Sequence, residues 1–294
     1  MAKTREIKGR IKAVSNIARI TKTMQMIATA RFQSSHKRAV AAQPYTRKIR
    51  ELVAELSAVA GSLTSAGAGL LAAPESPADR DLYLVITSNR GLCGGYNAGV
   101  LRRAASVIRS AQQQRNVQVE LVGKKGQAFL RFTKIPVHRF HDQIGDRPTY
   151  EQIEPLAQQY MDDFQAGRYD SVKVISMAFD TMSSQRPQTL TLLPLAESES
   201  GAPQGATAQV DYEFSPDPAV LLGQLLPIAV KAQLFQCFNE AAVSEQIARM
   251  IAMKAATDSA DKMHHALTRR FNRARQAAIT TELTEIIGGA AALS

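Results

Sequence analysis

Between Pro227 and Gly288 the chain carries 60 consecutive residues with neither glycine nor proline, rich in Ala, Met, Gln and Arg. At 1.5 Å per residue a helix of that length spans roughly 90 Å. A single globular domain measures only about 30 to 40 Å across, so most of this helix has to find a partner outside a compact core. Its apolar stripe, Leu234, Phe238, Ile247, Ile251, Met263, Leu267, Phe271, Ala274 and Ala278, would otherwise face water. The other chain end supplies a match. From Ile7 the positions Ile11, Val14, Ile17, Ile20, Met24 and Ile27 recur every three or four residues, as an amphipathic helix requires. This helix is expected to start near residue 4, to kink or break briefly at Pro44, to resume with Ile49, Leu52, Val53 and Leu56, and to end near Gly61. Pairing of the two predicts an antiparallel coiled coil, with alanine-rich facing positions that let the axes approach closely. The alternative is two separate helices lying on the central domain.

Residues 61–70 and the prolines at 74 and 77 read as a loop. From 81 to about 196 the pattern changes. Short β-rich runs at 82–87, 117–122, 172–179 and 189–195 alternate with helical stretches near 97–115 and 149–166, which argues for a mostly parallel sheet flanked by helices. Residues 197–210 read as an exposed loop. The fold class is therefore α/β plus long helices. The expected domains are an N-terminal coiled-coil helix over 1–60, a central α/β domain over 75–210 and a C-terminal coiled-coil helix over 211–294.

The formal charge of +10 is unevenly placed. The first 57 residues hold 13 Lys or Arg against the three acids Glu6, Glu51 and Glu55, so the whole excess lies in one N-terminal strip. Such a strip attracts a polyanion: nucleic acid, anionic lipid or an acidic protein surface. A nucleic-acid reader would want stacking groups, and Phe32 is the one aromatic before Tyr45. A membrane-surface helix would want bulky aromatics on its apolar face. An acidic protein partner fits best, with a nucleic-acid-binding coiled coil as the competing class.

Cys93 and Cys237 lie far apart without C-x-x-C spacing, which argues against a disulfide framework or a zinc site. No run approaches 18 consecutive apolar residues, and the opening MAKTREIKGR lacks the apolar stretch of a signal peptide, so the expectation is a cytosolic or membrane-peripheral chain. The loop NRGLCGGYN at 89–97 follows a strand and opens a helix, where phosphate loops sit, yet Gly91, Gly94 and Gly95 do not fit G-x-G-x-x-G. A tight structural turn, with Cys93 as a small packed side chain, is the better reading. His138 and His141, three apart in an expected strand IPVHRF, face opposite sides and make a poor metal pair. His264 and His265 are adjacent on a helix and read as solvated. No catalytic constellation stands out, and no cofactor or metal is expected.

Three stretches carry a family resemblance: ITKTMQMIATARF at 20–32, TSNRGLCGGYN at 87–97, and SEQIARMIAMKAATDSADKM followed by NRARQAAITTELTEIIGGAAAL up to residue 293. They resemble the γ subunits of F-type ATP synthases, over nearly the whole chain. The resemblance implies a coiled coil of the terminal helices with a Rossmann-like α/β domain that holds no nucleotide. It implies a non-catalytic rotor shaft in a ring of α and β subunits, a base that binds ε and the membrane c-ring, and a place on the cytoplasmic face of the inner membrane. By that resemblance Arg275, Gln276 and Thr280 match positions that grip a β subunit, Lys22 and Met24 lie in the segment facing β, and the apolar end with Ile286, Ile287 and Leu293 matches a tip turning in a hydrophobic sleeve. Tyr212 and Ser215 fall near the rotor-ring contact. Two departures are visible: Asn89 stands where the family commonly has Asp, and Ser215 where an acid is usual.

Overall fold

The computed structural model describes residues 2–60, 68–71, 78–195 and 218–292. The elements in chain order are α1 (Ala2–Ala60), β1 (Arg80–Ile86), α2 (Tyr96–Gln112), β2 (Asn116–Val122), α3 (Lys124–Phe132), β3 (Arg139–His141), α4 (Tyr150–Gln165), β4 (Ser171–Phe179), β5 (Gln185–Leu193) and α5 (Pro218–Ala292). They fall into two compact units. One comprises the first 30 residues and those from Arg249 onward, the other Arg31–Ala248.

The larger unit is a five-stranded sheet in the order β3-β2-β1-β4-β5 with helices on both faces. The first four strands are parallel, and β5 returns antiparallel beside β4. Strand alternation sends alternate residues to opposite faces. Leu82, Leu84 and Ile86 of β1 join Val172 and Val174 of β4 in a core with Ile153, Tyr160 and Phe164 of α4. Ile49, Val53 and Leu56 of α1 and Leu226, Leu234 and Phe238 of α5 close that same core. Tyr83, Val85, Val119 and Ile175 face the other way, onto Val100, Ala104 and Ile108 of α2 and Leu130 of α3. Within this unit α1 advances from Phe32 to Leu56 while its α5 neighbours retreat from Ile247 to Leu222, so the two helices run antiparallel. By length and composition Val220–Gly288 could cross a bilayer, but Leu222, Leu226, Val230, Leu234, Phe238, Val243 and Ile247 are spent on these cores.

The smaller unit is a two-helix pair. Thr257 of α5 donates to Thr21 of α1 across a 2.8 Å contact. About twenty residues separate Thr21 from the start of α1, and α5 has its last half-buried side chain, Ala278, about twenty residues beyond Thr257. Burial ending at the point where α1 runs out is the signature of antiparallel pairing. The seam reads Val14, Ala18, Thr21, Gln25 and Ala28 on α1, and Met250, Met253, Thr257, Ala260, His264, Leu267, Phe271, Ala274 and Ala278 on α5. Spacings of three and four alternate throughout, the heptad rhythm of a coiled coil.

Several expectations need correction. Pro44 neither breaks α1 nor ends it: the helix is continuous, because the missing N–H leaves only the carbonyl of Val40 unpaired, and both residues are on the solvent side. α5 begins at Pro218 and passes through Pro227. The expected stripe on α1 holds at Val14, which is buried, and at Ile7, Ile11 and Met24, which are half-buried, but Ile17, Ile20 and Ile27 are 52%, 59% and 50% exposed, and there the seam uses the small residues beside them. On α5, Ile251 and Met263 likewise point outward, whereas His264 is half-buried in the seam. The IPVHRF stretch is a strand only from Arg139, and α3 was not anticipated.

Candidate partner-binding surface

The outward face of the two-helix unit combines two chemistries. Ile17, Ile20, Met24 and Ile27 form a second stripe on α1, and Ile251 and Met263 stand exposed on α5. Around them Arg5, Lys8, Lys12, Arg19 and Lys22 of α1 and Lys254, Lys262, Arg269, Arg270, Arg273 and Arg275 of α5 are exposed. Among the described residues of this unit Arg10 pairs with Glu6 at 2.7 Å on the surface of α1. Exposed apolar side chains on a unit that also exposes these cations, with Asp258 and Asp261 among them on α5, make a surface that gains from contact with a partner that is apolar in part and acidic in part.

The residues singled out from sequence take distinct places on this unit. Lys22 is exposed and Met24 half-buried, both level with Thr257. Arg275, Gln276 and Thr280 are exposed, and the Thr280 hydroxyl donates to the Gln276 carbonyl at 3.0 Å within the helix. Arg275 lies 18 residues beyond Thr257, about 27 Å along the axis, so the two groups form separate patches. Ile286 and Ile287, 70% and 60% exposed, lie past the end of α1 with Ile279 and Leu283. Leu293, Tyr212 and Ser215 lie outside the described residues. The three- and four-residue spacing of the α1 stripe is visible in the sequence and points to the seam, whereas Ile17, Ile20 and Ile27 face outward.

In the larger unit, the loop after β1 is held from within. Ser88 N–H donates to Asn97 Oδ1 at 3.0 Å, and the Ser88 hydroxyl donates to the Arg90 carbonyl at 2.6 Å. Asn89 uses both ends of its amide: Nδ2 donates to the Ile144 carbonyl at 3.2 Å, and Oδ1 accepts from Lys124 N–H at 3.3 Å. Lys125 N–H donates to the Ser88 carbonyl at 3.1 Å. These bonds tie the loop to the start of α3, and at the start of α2, the helix that the loop opens, Tyr96 N–H donates to the Cys93 carbonyl at 3.2 Å. An aspartate at position 89 could accept from Lys124 but could not donate to Ile144.

A cleft of about 740 Å³ opens at the carboxyl ends of β1, β2 and β3, lined by Arg31, Arg90, Lys124, Arg147, Asp142 and Asp146 among others. Asp146 lies 3.0 Å from Arg90 and 3.7 Å from Arg31, so it ties the loop before α4 to both α1 and the turn after β1. Beneath it, Glu120 Oε2 lies 2.6 Å from His141 Nε2 and accepts from the Tyr160 hydroxyl at 2.7 Å. Burial works to raise the Glu120 pKa, but the His141 and Tyr160 hydrogen bonds outweigh it and hold the carboxyl below its ordinary value. Burial, reinforced by Glu120, pushes the Tyr160 phenol well up. The cluster is a charge sealed between β2, β3 and α4. Cys93 is buried with its sulfur 3.2 Å from Asn97 Nδ2, and burial pushes the Cys237 thiol up to about 12, which keeps it protonated. Among the described residues no group of three His, Cys, Asp or Glu is placed to hold a metal ion.

The family model described as ATP synthase matches residues 3–293. A relative from Rhodopirellula baltica is 41% identical over 100% of this chain and 99% of its own length, and one from Leptospira biflexa is 39% identical over all of both; each is an ATP synthase gamma chain. The chain belongs to the ATP synthase gamma-chain family. Its fold agrees with solved structures. A chain in the cryo-EM structure of the Euglena gracilis mitochondrial ATP synthase with OSCP, F1 and c-ring aligns at a TM-score of 0.63 and 17% identity, over 99% of this chain and 95% of that one. A chain in the central stalk and c-ring structure from Tetrahymena thermophila aligns at 0.56 and 20% identity, over 81% of this chain and 99% of that one. The gamma-chain family thus accounts for both units: a paired-helix unit and a doubly wound sheet.

Proposed function

We propose that this γ subunit is the rotating shaft of an F-type ATP synthase, itself non-catalytic, with its paired helices inside a ring of α and β subunits and its α/β unit bound to ε and the membrane c-ring. The observation that carries the reading is the lopsided surface of the two-helix unit: apolar Ile17, Ile20 and Ile27 on one helix, a concentration of exposed cations on both, and an unpaired end carrying Ile286 and Ile287. A ring of threefold symmetry around such a shaft meets a different face at each β subunit. Each face then stabilises a different open or closed state of that subunit. Moving a two-state site from 1:99 to 99:1 takes about 5.5 kcal/mol of differential contact, which many modest contacts can supply. Rotation driven from the membrane changes nucleotide affinity at β, and ATP hydrolysis drives the reverse turn. Lys22 and Met24 form one contact with β, Arg275, Gln276 and Thr280 another, and Ile286 to Leu293 the bearing. Tyr212 and Ser215 serve the rotor-ring contact. The complex sits peripherally on the cytoplasmic face of the bacterial inner membrane.

The test is co-expression with the α and β subunits of an F-type ATP synthase. A stable complex with ATPase activity that the lone chain lacks, and in which an actin filament or bead fixed to the α/β unit turns on addition of ATP, supports the reading. An active α and β ring from which this chain dissociates freely overturns it.

A further inference from the structure

Four cations from four separate elements converge on the cleft at the carboxyl ends of β1, β2 and β3: Arg31 of α1, Arg90 in the turn after β1, Lys124 at the start of α3 and Arg147 in the loop before α4. Two carboxylates, Asp142 and Asp146, share the lining, which leaves the cationic charge in excess. Asp146 answers Arg90 and Arg31, at 3.0 and 3.7 Å, and Arg147 donates to the Ser34 hydroxyl at 3.4 Å. Neither contact takes up Lys124, which stands exposed. Open α/β sheets take ligands outside the carboxyl ends of their strands, and a concave surface with an excess of one sign focuses its field on a small counter-ion.

The cleft also holds an unmet acceptor. Gln246 of α5 lines it at 3% exposure, and its Oε1 is buried without a hydrogen-bond partner. A buried acceptor is costly to leave without a donor, so the site calls for an O–H beside its anionic oxygens. Monohydrogen phosphate carries both, as do phosphate esters of hydroxylated molecules. The carboxylate of an acidic protein partner carries the charge alone. The backbone is engaged elsewhere: Lys124 N–H donates to Asn89 Oδ1 at 3.3 Å and Lys125 N–H to the Ser88 carbonyl at 3.1 Å. Recognition therefore falls to side chains at positions 31, 90, 124, 147 and 246, which meet only on folding and leave no glycine-rich fingerprint in the sequence.

We propose that this cleft is a binding site for a phosphate group, free or carried on a nucleotide, held by Lys124 and Arg147 with Arg90 and Arg31 and donating its O–H, or a hydroxyl of its carrier, to Gln246. The site lies within the larger unit and goes beyond the shaft reading, on which it does not depend.

The experiment is calorimetric titration of the full chain with inorganic phosphate, sulfate and ADP at one low ionic strength and neutral pH. Phosphate is expected to bind at millimolar concentration or tighter, and more tightly than sulfate, which has no proton to donate. Lys124→Ala with Arg147→Ala, both exposed, should leave the melting point in place and weaken phosphate by at least about tenfold, as loss of two charge-assisted hydrogen bonds implies. Asp146→Asn releases Arg31 and Arg90 from their counter-charge and should tighten phosphate. Gln246→Leu keeps volume and charge and should erase the preference for phosphate over sulfate. ADP bound more tightly than phosphate names the nucleotide as the source, and ADP bound no more tightly names the free anion; both support the site. Failure of phosphate to bind, or binding that the double alanine variant leaves unchanged, would overturn it. Sulfate bound as tightly as phosphate by the wild-type chain would also overturn it, since charge alone is what an acidic protein segment would use.

Discussion

Glu120 and His141 meet in the interior of the α/β unit, Oε2 to Nε2 at 2.6 Å, on neighbouring parallel strands, and the Tyr160 hydroxyl donates to the same Glu120 oxygen at 2.7 Å. A carboxylate kept ionised in a buried site depends on these two partners, so neutralising it should be felt. We predict that Glu120→Gln lowers stability at pH 7 by about 1 to 2 kcal/mol, the difference between charge-assisted and neutral hydrogen bonds. The folded Glu120 pKa lies below the unfolded value, so its contribution is complete above the ordinary glutamate pKa of about 4.3 and is lost as pH falls through the lowered folded value. Thermal unfolding followed by circular dichroism at a series of pH values should show the gap between wild type and variant closing below about pH 4. A gap independent of pH would mean that shape rather than charge is what Glu120 contributes.

Gly123 caps α3 with φ of 93°, and a Cβ there would stand 2.1 Å from the Thr87 carbonyl oxygen. Thr87 in turn bonds β1 to β2, through its N–H to the Val122 carbonyl at 2.8 Å and its hydroxyl to the same carbonyl at 2.9 Å. Gly123→Ala therefore combines a left-handed backbone cost with a clash against backbone that cannot move without opening the sheet. We predict a loss above about 3 kcal/mol, while Gly145→Ala, with nothing within 4 Å, should stay within about 0.5 kcal/mol. Chemical denaturation of the two variants side by side measures the contrast.

The long helices and the alternation of strands and helices were legible because they rest on many residues at once. What failed was phase. Ile17, Ile20 and Ile27 are bulky and drew the stripe toward themselves, whereas close-packed helices prefer Ala18, Thr21 and Ala28, whose small side chains let the axes approach. Hydrophobicity identifies a face; in a coiled coil, size decides which face is the seam. Pro44 and Pro227 misled for a related reason, since a proline in a helix costs one hydrogen bond and a local clash, which a long packed helix absorbs. β3 has three residues, too few for any period to show. Of the candidate surface, Arg275 and Gln276 were singled out through family resemblance alone, because exposed residues on a helix leave no mark in a hydrophobic pattern.

Arg275 and Gln276 are exposed on α5, so replacing both by alanine should leave the isolated chain's helix content and melting unchanged. If they grip a β subunit, the double variant should lower ATP synthesis in reconstituted vesicles about five- to tenfold, as loss of about 1 to 1.4 kcal/mol at a coupling contact implies. ATP hydrolysis by the complex provides the comparison. Loss of synthesis with hydrolysis retained marks a coupling contact, and unchanged synthesis removes these residues from it.

Ile286 and Ile287 present a sharper case, because a free helix end has no reason of its own to display two isoleucines 70% and 60% exposed. They lie beyond Ala278, where α1 no longer covers α5, so no contact within the two-helix unit is lost when they change. In a hydrophobic sleeve each would be worth up to about 1.5 to 3 kcal/mol on full burial. Ile286→Ser with Ile287→Ser should therefore leave the lone chain's unfolding midpoint where it was. The same change should raise the rate at which the chain leaves the assembled ring on dilution by at least about tenfold, the equivalent of 1.4 kcal/mol. Dissociation is read by the loss of fluorescence transfer between labels on this chain and on an α subunit. If the lone chain is destabilised instead, the isoleucines pack within their own subunit; if neither quantity moves, the end of α5 does not turn in an apolar bearing, and the ring must hold the shaft through the charged patches alone.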